Sequence, residues 1–592
     1  MSAQQDTQDQ ISGKAVDTQI LKKVYALIDP YRRYFVFAII LTFLVSIVSP
    51  AIPYLIQHTV DSQVMQFDSR GLWLYSMLIL AFIFLQGILQ YGQTYLLNWL
   101  GQNAIFRLRR DVFNHIVSFR NSIFDRTPIG QFMTRCVNDV ESVASIFSQG
   151  LISIIGDFMQ VFIILALMFY MDWELTLVVL TIAPFLATSA YIFKEKVKVA
   201  FQDVRQQVAR LNAFLQEHIT GMKIIQVFGK EDQEYRNFTE INADHRNAHI
   251  RSVLYYSIFF PVIEIFSAIG IALIVWYGAQ GILTGTTTIG VLMAFILYLN
   301  LLFRPIRQIA DRFNTLQMGM VASERIFRVM DHKEFTPDHG TYNPGSLRGH
   351  IQFDNVWFAY KGEDYVLRGI SFDADPGKTL AIVGATGAGK STIINLLNRM
   401  YDINHGSIKI DGVDIREYDL TFLRHQIAVV LQEVFLFSDS VANNIKLYND
   451  QIDRQQIYDA AERLGAMRFI KDLPNGLDYQ VQERGATLSA GQRQVISFIR
   501  AVIQDPRILV LDEATSSVDN ETEEILQQAT EVLLRGRTSI VIAHRLATIQ
   551  NADQILVMDH GQVREAGTHE ELLARDGYYR RLCRMQFTEL SV

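Results

Sequence analysis

Cysteine is nearly absent from this sequence of 592 residues, in which only Cys136 and Cys583 occur. Both lie in stretches that we assign to the cytoplasmic side, so we expect unpaired, reduced thiols. Excess positive charge is also missing, because the net charge is -7, and this gives no argument for nucleic-acid binding. Charged residues make up only 19% of the chain, whereas 49% are hydrophobic. This composition favours one membrane part and one soluble part.

A secretory signal is lacking as well. Residues 1–17 are polar, without an apolar core or a small-residue cleavage site, so we expect the N-terminus to stay in the cytoplasm. Residues 21–28 place apolar side chains at helical spacing with lysines between them. This pattern suits a short helix along the membrane surface, and a soluble helix fits it nearly as well.

Six long apolar runs predict six membrane-spanning helices. They lie at about 34–56, 72–97, 151–171, 175–193, 254–282 and 291–303. Each except the last has the roughly 20 residues that a span requires, and the last reaches that length if it begins near residue 286. The long loops 101–149 and 194–252 are rich in Lys and Arg, so the positive-inside rule places them and the N-terminus in the cytoplasm. Apolar residues recur at helical spacing in these loops, so we expect the helices to continue beyond the bilayer.

Two carboxylates, Asp157 and Glu264, fall within predicted spans. A charge at membrane depth costs about 2.5 to 3.5 kcal/mol on insertion scales, so each should face the protein interior or a water-filled path. One interpretation is contact with a polar or cationic part of a substrate. A structural hydrogen bond between helices, or a position nearer the interface, fits at least as well.

A glycine-rich segment predicts a nucleotide-phosphate site in the second half of the chain. It follows the apolar run 380–383 and precedes a helical pattern, and it consists of Gly384, Ala385, Thr386, Gly387, Ala388, Gly389, Lys390, Ser391 and Thr392. A strand, a glycine-rich loop and a helix N-terminus close backbone N–H groups around phosphate. Lys390 would neutralise the phosphate, and the Ser391 hydroxyl would ligate Mg²⁺.

Two further motifs occupy the region after this loop. The segment Leu488-Ser489-Ala490-Gly491-Gln492 precedes a helical pattern, and the apolar run 508–511 ends at Asp512 and Glu513. A buried parallel strand would deliver Asp512 to the Mg²⁺ shell, and Glu513 would polarise the attacking water. With these motifs the sequence resembles the ABC transporter family, whose nucleotide-binding domain places Leu-Ser-Gly-Gly-Gln between its Walker A and Walker B motifs. The resemblance spans essentially the whole chain and is of the exporter type.

The resemblance implies a six-helix transmembrane domain followed by a P-loop α/β ABC ATPase domain, with ATP and Mg²⁺ as cofactors. Catalysis would fall to Glu513, the switch histidine His544 and Lys390. The metal ligands would be Ser391, Gln432 of the Q-loop and Asp512. Further nucleotide contacts would come from the adenine-stacking Tyr360, from the Gly384–Thr392 loop, from the signature residues Ser489, Ala490, Gly491 and Gln492, and from Asp519 of the D-loop. Short cross-helices at 124–131 and 226–233 would dock on the ATPase domains.

Because the family's signature segment contacts the γ-phosphate bound by the opposite subunit, a second half-transporter is required. Ala490 replaces the first glycine of the family's signature pair, and residues 479–485 depart from the usual exporter pattern. In heterodimeric exporters the half that keeps the catalytic glutamate often carries the altered signature. A homodimer and a heterodimer both stay open, with a slight preference for the heterodimer.

The leading hypothesis is therefore a dimeric, ATP-driven exporter with alternating access. Its substrate would be a lipophilic or amphiphilic drug or lipid, which rests on family analogy alone. An importer and an ATP-gated channel or regulator on the same fold are the alternatives. The expected domains are residues 1–33 (N-terminus and interfacial helix), 34–330 (transmembrane), 331–349 (linker) and 350–592 (nucleotide-binding). The protein would lie in the cytoplasmic (inner) membrane, with the N-terminus and ATPase domain in the cytoplasm.

Overall fold

A computed structural model describes residues 18–146, 150–336, 339–512, 520–542 and 546–587. These residues form two compact units. One comprises the described residues up to Val117 together with Ile129–His332, and the other comprises Ser118–Pro128 and the described residues from Lys333 onward. Eleven residues from the N-terminal half therefore belong to the C-terminal unit.

Helices build the N-terminal half. They are α1 (Thr18–Ala26), α2 (Arg32–Thr59), α3 (Ser69–Val117), α4 (Asn121–Arg126), α5 (Ile129–Thr134), α6 (Val140–Ser145), α7 (Leu151–Met171), α8 (Trp173–Leu180), α9 (Ala183–Thr220), α10 (Met222–Val227), α11 (Glu231–Thr284) and α12 (Ile289–Asp331). Helix α4 belongs to the C-terminal unit and the others to the N-terminal unit. Local signals set several boundaries: the Asp172 carboxylate accepts from the backbone N–H of Leu175 at the start of α8, and α11 ends at Gly285 with φ +77°.

Within the described ranges, five helical segments are long and apolar enough to cross a membrane. They are Asp29–Val64, Ser69–Val117, Ile152–Met171, Trp173–Thr220 and Glu231–Thr284, and Ile289–Pro305 is a shorter apolar helix. These six segments coincide with the six predicted runs, and the short one is the run expected to be marginal. Helix α11 has 54 residues, or about 80 Å at 1.5 Å per residue, which exceeds a hydrocarbon core of about 30 Å. The expectation that helices continue beyond the apolar runs is confirmed.

The short cross-helices are present, but the predicted boundaries are wrong. Helix α4 begins at Asn121 rather than near residue 124, and it ends before Thr127, whose extended backbone (φ −116°, ψ 120°) is what a following proline favours. Helix α10 ends at Val227, and Gly229 with φ +58° separates it from α11. Pro128 and Gly229 separate the two short helices from the helices that follow them, so each short helix lies on the N-terminal side of its break.

The intramembrane carboxylates occupy different surroundings. Asp157 on α7 lies 3.0 Å from Nε of Arg312 on α12, with side-chain exposures of 15% and 24%, so an ion pair links two helices. Glu264 is exposed on α11. Asp157 therefore makes a contact between helices, which is the structural interpretation given above.

The C-terminal unit contains two sheets. The strands are β1 (Ile351–Ala359), β2 (Tyr365–Ala374), β3 (Thr379–Gly384), β4 (His405–Ile410), β5 (Val413–Asp414), β6 (Ile427–Val430), β7 (Ile508–Asp512), β8 (Thr538–Ile542), β9 (Gln554–Asp559) and β10 (Gln562–Gly567). The antiparallel sheet has the order β2-β1-β4-β5, and the six-stranded sheet has the order β10-β9-β3-β8-β7-β6. In the larger sheet β10 alone is antiparallel to its neighbour. Its central strands are continuous apolar runs because both faces of the sheet are buried.

Further helices of the C-terminal half pack around these sheets. They are α13 (Lys390–Leu397), α14 (Leu420–Gln426), α15 (Val441–Lys446), α16 (Arg454–Arg463), α17 (Met467–Asp472), α18 (Ala490–Gln504), α19 (Asn520–Leu534), α20 (Leu546–Gln550), α21 (His569–Ala574) and α22 (Tyr578–Phe587). One apolar core joins α15 to α19 to one face of the larger sheet. A second core fills the space between the two sheets and α13.

Candidate active site

The carboxyl ends of the parallel strands meet at one edge of the larger sheet. Asp512 at the end of β7 pairs in register with Ile542 at the end of β8, and Ile382 of β3 pairs with the same residue. Open α/β sheets bind ligands in the crevice at this edge. The glycine-rich loop and the end of β7 are therefore brought together, as a shared phosphate and metal site requires.

The loop between β3 and α13 can hold only glycine at two positions. A Cβ on Gly384 would lie 2.2 Å from the carbonyl oxygen of Met558, and a Cβ on Gly389 would lie 2.6 Å from Cδ2 of Leu367. Gly389 also has φ +97° at the N-cap of α13, a conformation that costs other residues energy. The backbone thus folds tightly at the N-terminus of a helix, where unpaired N–H groups and the helix dipole attract anions.

Lys390 is the first residue of α13 and is 8% exposed. Its Nζ donates to the carbonyl oxygens of Gly384 at 2.8 Å and of Ala385 at 3.0 Å. Burial lowers the pKa of Lys390, and the charge of Asp512 acts in the opposite direction. The ammonium group is therefore held at the loop by its own backbone.

Two oxygen groups lie side by side next to this lysine. Ser391 Oγ lies 3.4 Å from Oδ2 of Asp512. Hydroxyl and carboxylate oxygens are the ligands that Mg²⁺ accepts, usually only one or two from protein, with water and phosphate completing the shell. Gln432 is exposed two residues after β6, also at the carboxyl end of a strand. Within the described ranges, no group of three or more His, Cys, Asp or Glu side chains could hold a metal ion. The hydroxyl of Ser391 and the carboxylate of Asp512 are donors that fit Mg²⁺ held jointly with phosphate.

Tyr360 lies beside this helix, just after β1. Its hydroxyl is 3.2 Å from Oγ1 of Thr392 and 3.4 Å from Nδ2 of Asn395. The ring is 37% exposed, as a surface for stacking must be. Of the two aromatic residues that precede it on β1, Phe358 is buried, whereas Trp357 is only partly buried.

Tyr401 is a residue that the sequence analysis missed. Its ring packs edge-on against Tyr360, with centroids 5.1 Å apart. Its hydroxyl donates to Asp125 of α4 and accepts from Nδ2 of Asn121 at 3.1 Å. Burial and then the hydrogen bond to Asp125 raise the pKa of Tyr401 to about 12. A chain of contacts thus runs from α4 to Tyr360 and to the helix of the glycine-rich loop.

The signature segment forms the N-terminus of α18. Ser489 Oγ accepts from the backbone N–H of Gln492 at 3.2 Å, and Gln492 Oε1 accepts from the backbone N–H of Ser489 at 3.0 Å, which is a capping box. Ala490 is exposed and Gly491 is buried. No hydrogen bond among the described residues joins this segment to the Gly384–Thr392 loop of the same chain.

Arg500, near the other end of α18, was not predicted either. Its guanidinium donates to the carbonyl oxygens of Asn444 and, at 3.1 Å, of Phe435, and to Oδ1 of Asn444 at 3.2 Å. Burial lowers the pKa of Arg500 to about 10. Phe435 follows Gln432 by three residues, so the signature helix is fastened to the segment that carries the Q-loop glutamine. Arginine is common on helices, and nothing in the sequence distinguishes this one.

Three predicted residues, Glu513, Asp519 and His544, lie outside the described residues. Strand β7 ends directly before the first of them, and strand β8 ends two residues before the last.

A membrane domain of long apolar helices fused to an α/β domain with a phosphate-binding loop defines an ATP-driven membrane protein. Comparison with known proteins places this combination in one family. Residues 35–306 match the family model of the ABC transporter transmembrane region, and residues 367–516 match that of the ABC transporter.

Relatives align along nearly the full chain. The uncharacterized ABC transporter ATP-binding protein YknV of Bacillus subtilis is 36% identical over 98% of this chain and 96% of its own length. An ATP-dependent lipid A-core flippase of Mannheimia succiniciproducens is 34% identical over 96% of this chain and 98% of its own. A probable multidrug resistance ABC transporter protein, YheH of Bacillus subtilis, is 38% identical over 84% of this chain and 74% of its own.

The chain belongs to the ABC transporters and is a half-transporter of the exporter type. It is a multi-pass membrane protein, it binds nucleotide, and it couples ATP hydrolysis to transport.

Proposed function

We propose that this protein exports an amphiphilic or lipophilic substrate, by alternating access of a dimer that ATP closes and hydrolysis resets. The observation that carries the proposal is the convergence of Lys390, Ser391 and Asp512 at one sheet edge, in a chain whose other half is a six-segment membrane domain. The names of the relatives, a lipid A-core flippase and a multidrug resistance transporter, support a lipid-like or drug-like substrate.

At the site, Lys390 and the loop N–H groups would bind the β- and γ-phosphates of ATP. Mg²⁺ would be held by Ser391 and Asp512, with Gln432 completing the protein ligands, and it would supply charge neutralisation on the phosphates. Glu513 would orient the attacking water as general base, and His544 would hold that arrangement. Tyr360 would stack on adenine.

A second chain would complete each site. Ser489 and Ala490 are exposed at the N-terminus of α18, and the signature segment has no hydrogen bond to the described loop of the same chain, which supports a role toward nucleotide bound by a partner. Ala490 adds one methyl group to that surface. The cytoplasmic membrane, with the N-terminus and ATPase domain inside, is supported by the basic residues of the long loops.

The test is Mg-ATP hydrolysis by the purified chain in lipid nanodiscs. We expect turnover that falls by about 100-fold or more in Glu513→Gln, because a general base is worth that much. Glu531→Gln, an equal charge change at an exposed position of α19, is the matched control and should leave the rate unchanged.

The outcomes separate the two assemblies. Turnover by the chain alone shows a competent homodimer with Ala490 in both signatures. Absence of turnover from folded, ATP-binding protein shows that a different partner half is required. Undiminished hydrolysis in Glu513→Gln contradicts the proposed mechanism.

A further inference from the structure

A cavity of about 200 Å³ lies inside the helical unit, between α2, α3, α7 and α12. Its lining is polar, although these helices carry the apolar runs of the membrane domain. Of the described lining residues, only Val45, Leu97, Gly156 and Pro305 lack a polar side chain. At about 30 Å³ per water the cavity holds on the order of six waters, so a polar group of a solute fits inside it.

The polar residues are arranged as stripes on the helices. Helix α3 contributes Gln86, Gln90 and Gln93, spaced four and three residues apart, so that they share one face. Helix α2 contributes Thr42, Ser46 and Ser49 with the same spacing, and α7 contributes Ser153, Asp157 and Gln160 with the same spacing again. Polar stripes in membrane helices are costly and mark polar pathways or binding sites.

Part of this lining bonds within the protein. Gln93 Nε2 donates to Oγ1 of Thr42 at 2.9 Å, and Ser46 Oγ donates to the carbonyl oxygen of Gly156 at 3.1 Å. The side-chain amides of Gln86, Gln90 and Gln160 have no hydrogen-bond partner in the part of the chain that the structure describes. If the polar stripes served only to hold the helices together, these amides would form hydrogen bonds within the protein. Three amides, each with a donor and an acceptor, are therefore available to a ligand.

The charged residues that line the cavity give it a net positive charge. Its charged lining residues among those described are Asp157, Arg304 and Arg312, which gives an excess of one positive charge. Oδ2 of Asp157 lies 3.0 Å from Nε of Arg312, so these two charges pair and Arg304 supplies the excess positive charge. The cavity therefore offers the charge of Arg304 and several side-chain amides.

We infer that this cavity binds the polar part of the transported substrate, and that this part is an organic anion bearing hydroxyl or amide groups. Arg304 attracts the acid group, and the three glutamines form hydrogen bonds with the hydroxyl or amide groups. A lipophilic cation is disfavoured by the charge. The anion is either free in solution or the headgroup of an amphiphile. This inference rests on the proposed export function.

The test is direct binding to the chain in nanodiscs, with four probes. Lysophosphatidylglycerol presents a phosphate with hydroxyl groups, a lysolipid with a trimethylammonium headgroup presents a cation, monoacylglycerol presents hydroxyls without charge, and glycerol 3-phosphate presents the anion in solution. We expect lysophosphatidylglycerol to bind about tenfold more tightly than the cationic lysolipid, because the exposed Arg304 attracts the anion and repels the cation by about 1 kcal/mol each. If glycerol 3-phosphate binds as tightly as lysophosphatidylglycerol, the ligand is a soluble anion. If only lysophosphatidylglycerol binds, the ligand is the headgroup of an amphiphile.

Two variants assign the effect to the cavity. Arg304→Gln should reduce the preference for the anionic over the cationic lysolipid to about threefold or less. Gln90→Leu should weaken the binding of lysophosphatidylglycerol and of monoacylglycerol by about fivefold each, because the loss of one hydrogen bond changes an affinity by about that factor. Gln90 is exposed, so folding does not depend on it, and Gln102→Leu, at an exposed position of α3 outside the cavity, is the matched control.

Equal binding of the cationic and anionic lysolipids, or unchanged binding in both cavity variants, overturns the inference. Binding is measured without ATP, so its outcome is independent of turnover. A protein that binds these probes selectively but hydrolyses no ATP would contradict the homodimeric form of the proposed function and leave the site intact. A protein that hydrolyses ATP but shows no charge preference would contradict the site alone.

Discussion

At the scale of single residues, Tyr401 is the most consequential side chain that the sequence analysis did not identify. Its hydroxyl bonds to Asp125 and Asn121, and its ring touches the ring of Tyr360. One side chain therefore contacts both a helix from the N-terminal half of the chain and the residue proposed to stack on adenine. We expect Tyr401 to position α4 rather than to bind nucleotide.

Tyr401→Phe tests this role. The variant keeps the ring and removes a hydrogen bond to a carboxylate, which is worth about 1.5 to 3 kcal/mol when buried and less at this partly exposed site. We expect substrate-stimulated ATPase activity to fall several-fold while the affinity for ATP changes by less than about twofold. Tyr448→Phe, which removes a comparable bond to Asp439 at 2.9 Å away from α4, is the control. Equal losses in both variants would show a general effect of losing a hydroxyl.

Functional residues can be predicted from the sequence where they lie close together in the chain. Lys390 and Ser391 are found because a strand, a glycine-rich loop and a helix stand together in the chain. Tyr401 and Asp125 are separated by 276 positions, so no local pattern joins them. The unpaired glutamines of α3 were missed for a similar reason, because they only interrupt an apolar run until the fold brings them to one cavity with residues of α2 and α7.

At the scale of elements, helix α18 connects two parts of the ATPase domain. Its N-terminus carries the signature segment with its capping box, and Arg500 fastens its other end to the carbonyl oxygens of Phe435 and Asn444. The helix is therefore bonded at this end to the segment that follows Gln432. Sequence patterning predicted this helix because its apolar residues recur at helical spacing. The short helices α4 and α10 were misplaced because six residues carry too little periodicity to fix an end.

Arg500→Met tests the fastening. Methionine fills similar space but donates no hydrogen bond, so the carbonyl oxygens of Phe435 and Asn444 lose their partner, and we expect the unfolding free energy of the ATPase domain to fall by about 2 to 3 kcal/mol. Thermal unfolding of the purified transporter measures the change. Arg468→Met on α17, an exposed arginine 3.8 Å from Asp472, should change stability by less than about 1 kcal/mol. A loss no larger than in this control would show that Arg500 is not a fastening residue.

At the scale of the whole molecule, the phosphate loop and the signature segment of one chain share no hydrogen bond among the described residues. If two chains pair head to tail, each loop faces the other chain's signature. The chain is suited to a cross-linking test, since only Cys136 and Cys583 need to be replaced by serine to remove every native thiol.

In that background, Thr386→Cys with Ala490→Cys places one thiol at an exposed position of each segment. With Mg-ATP and an oxidant we expect a disulfide between two chains, seen as a dimer band on non-reducing gels and diminished without nucleotide. Thr386→Cys alone and Ala490→Cys alone should give no such band. Cross-linking that ignores nucleotide would contradict ATP-driven closure, and its absence in a dimeric protein would contradict the head-to-tail arrangement.

Because Ser118–Pro128 belong to the C-terminal unit, the ATPase domain cannot be exchanged between relatives as one continuous segment. An ATPase domain cut from the chain after residue 332 leaves eleven residues of its own compact body behind, including Asn121 and Asp125. A chimaera that takes this domain from a relative would set Tyr401's counterpart against foreign side chains. We expect such hybrids to work only when the short segment is transplanted together with the domain, so that the modular boundary for engineering comprises two separate cuts.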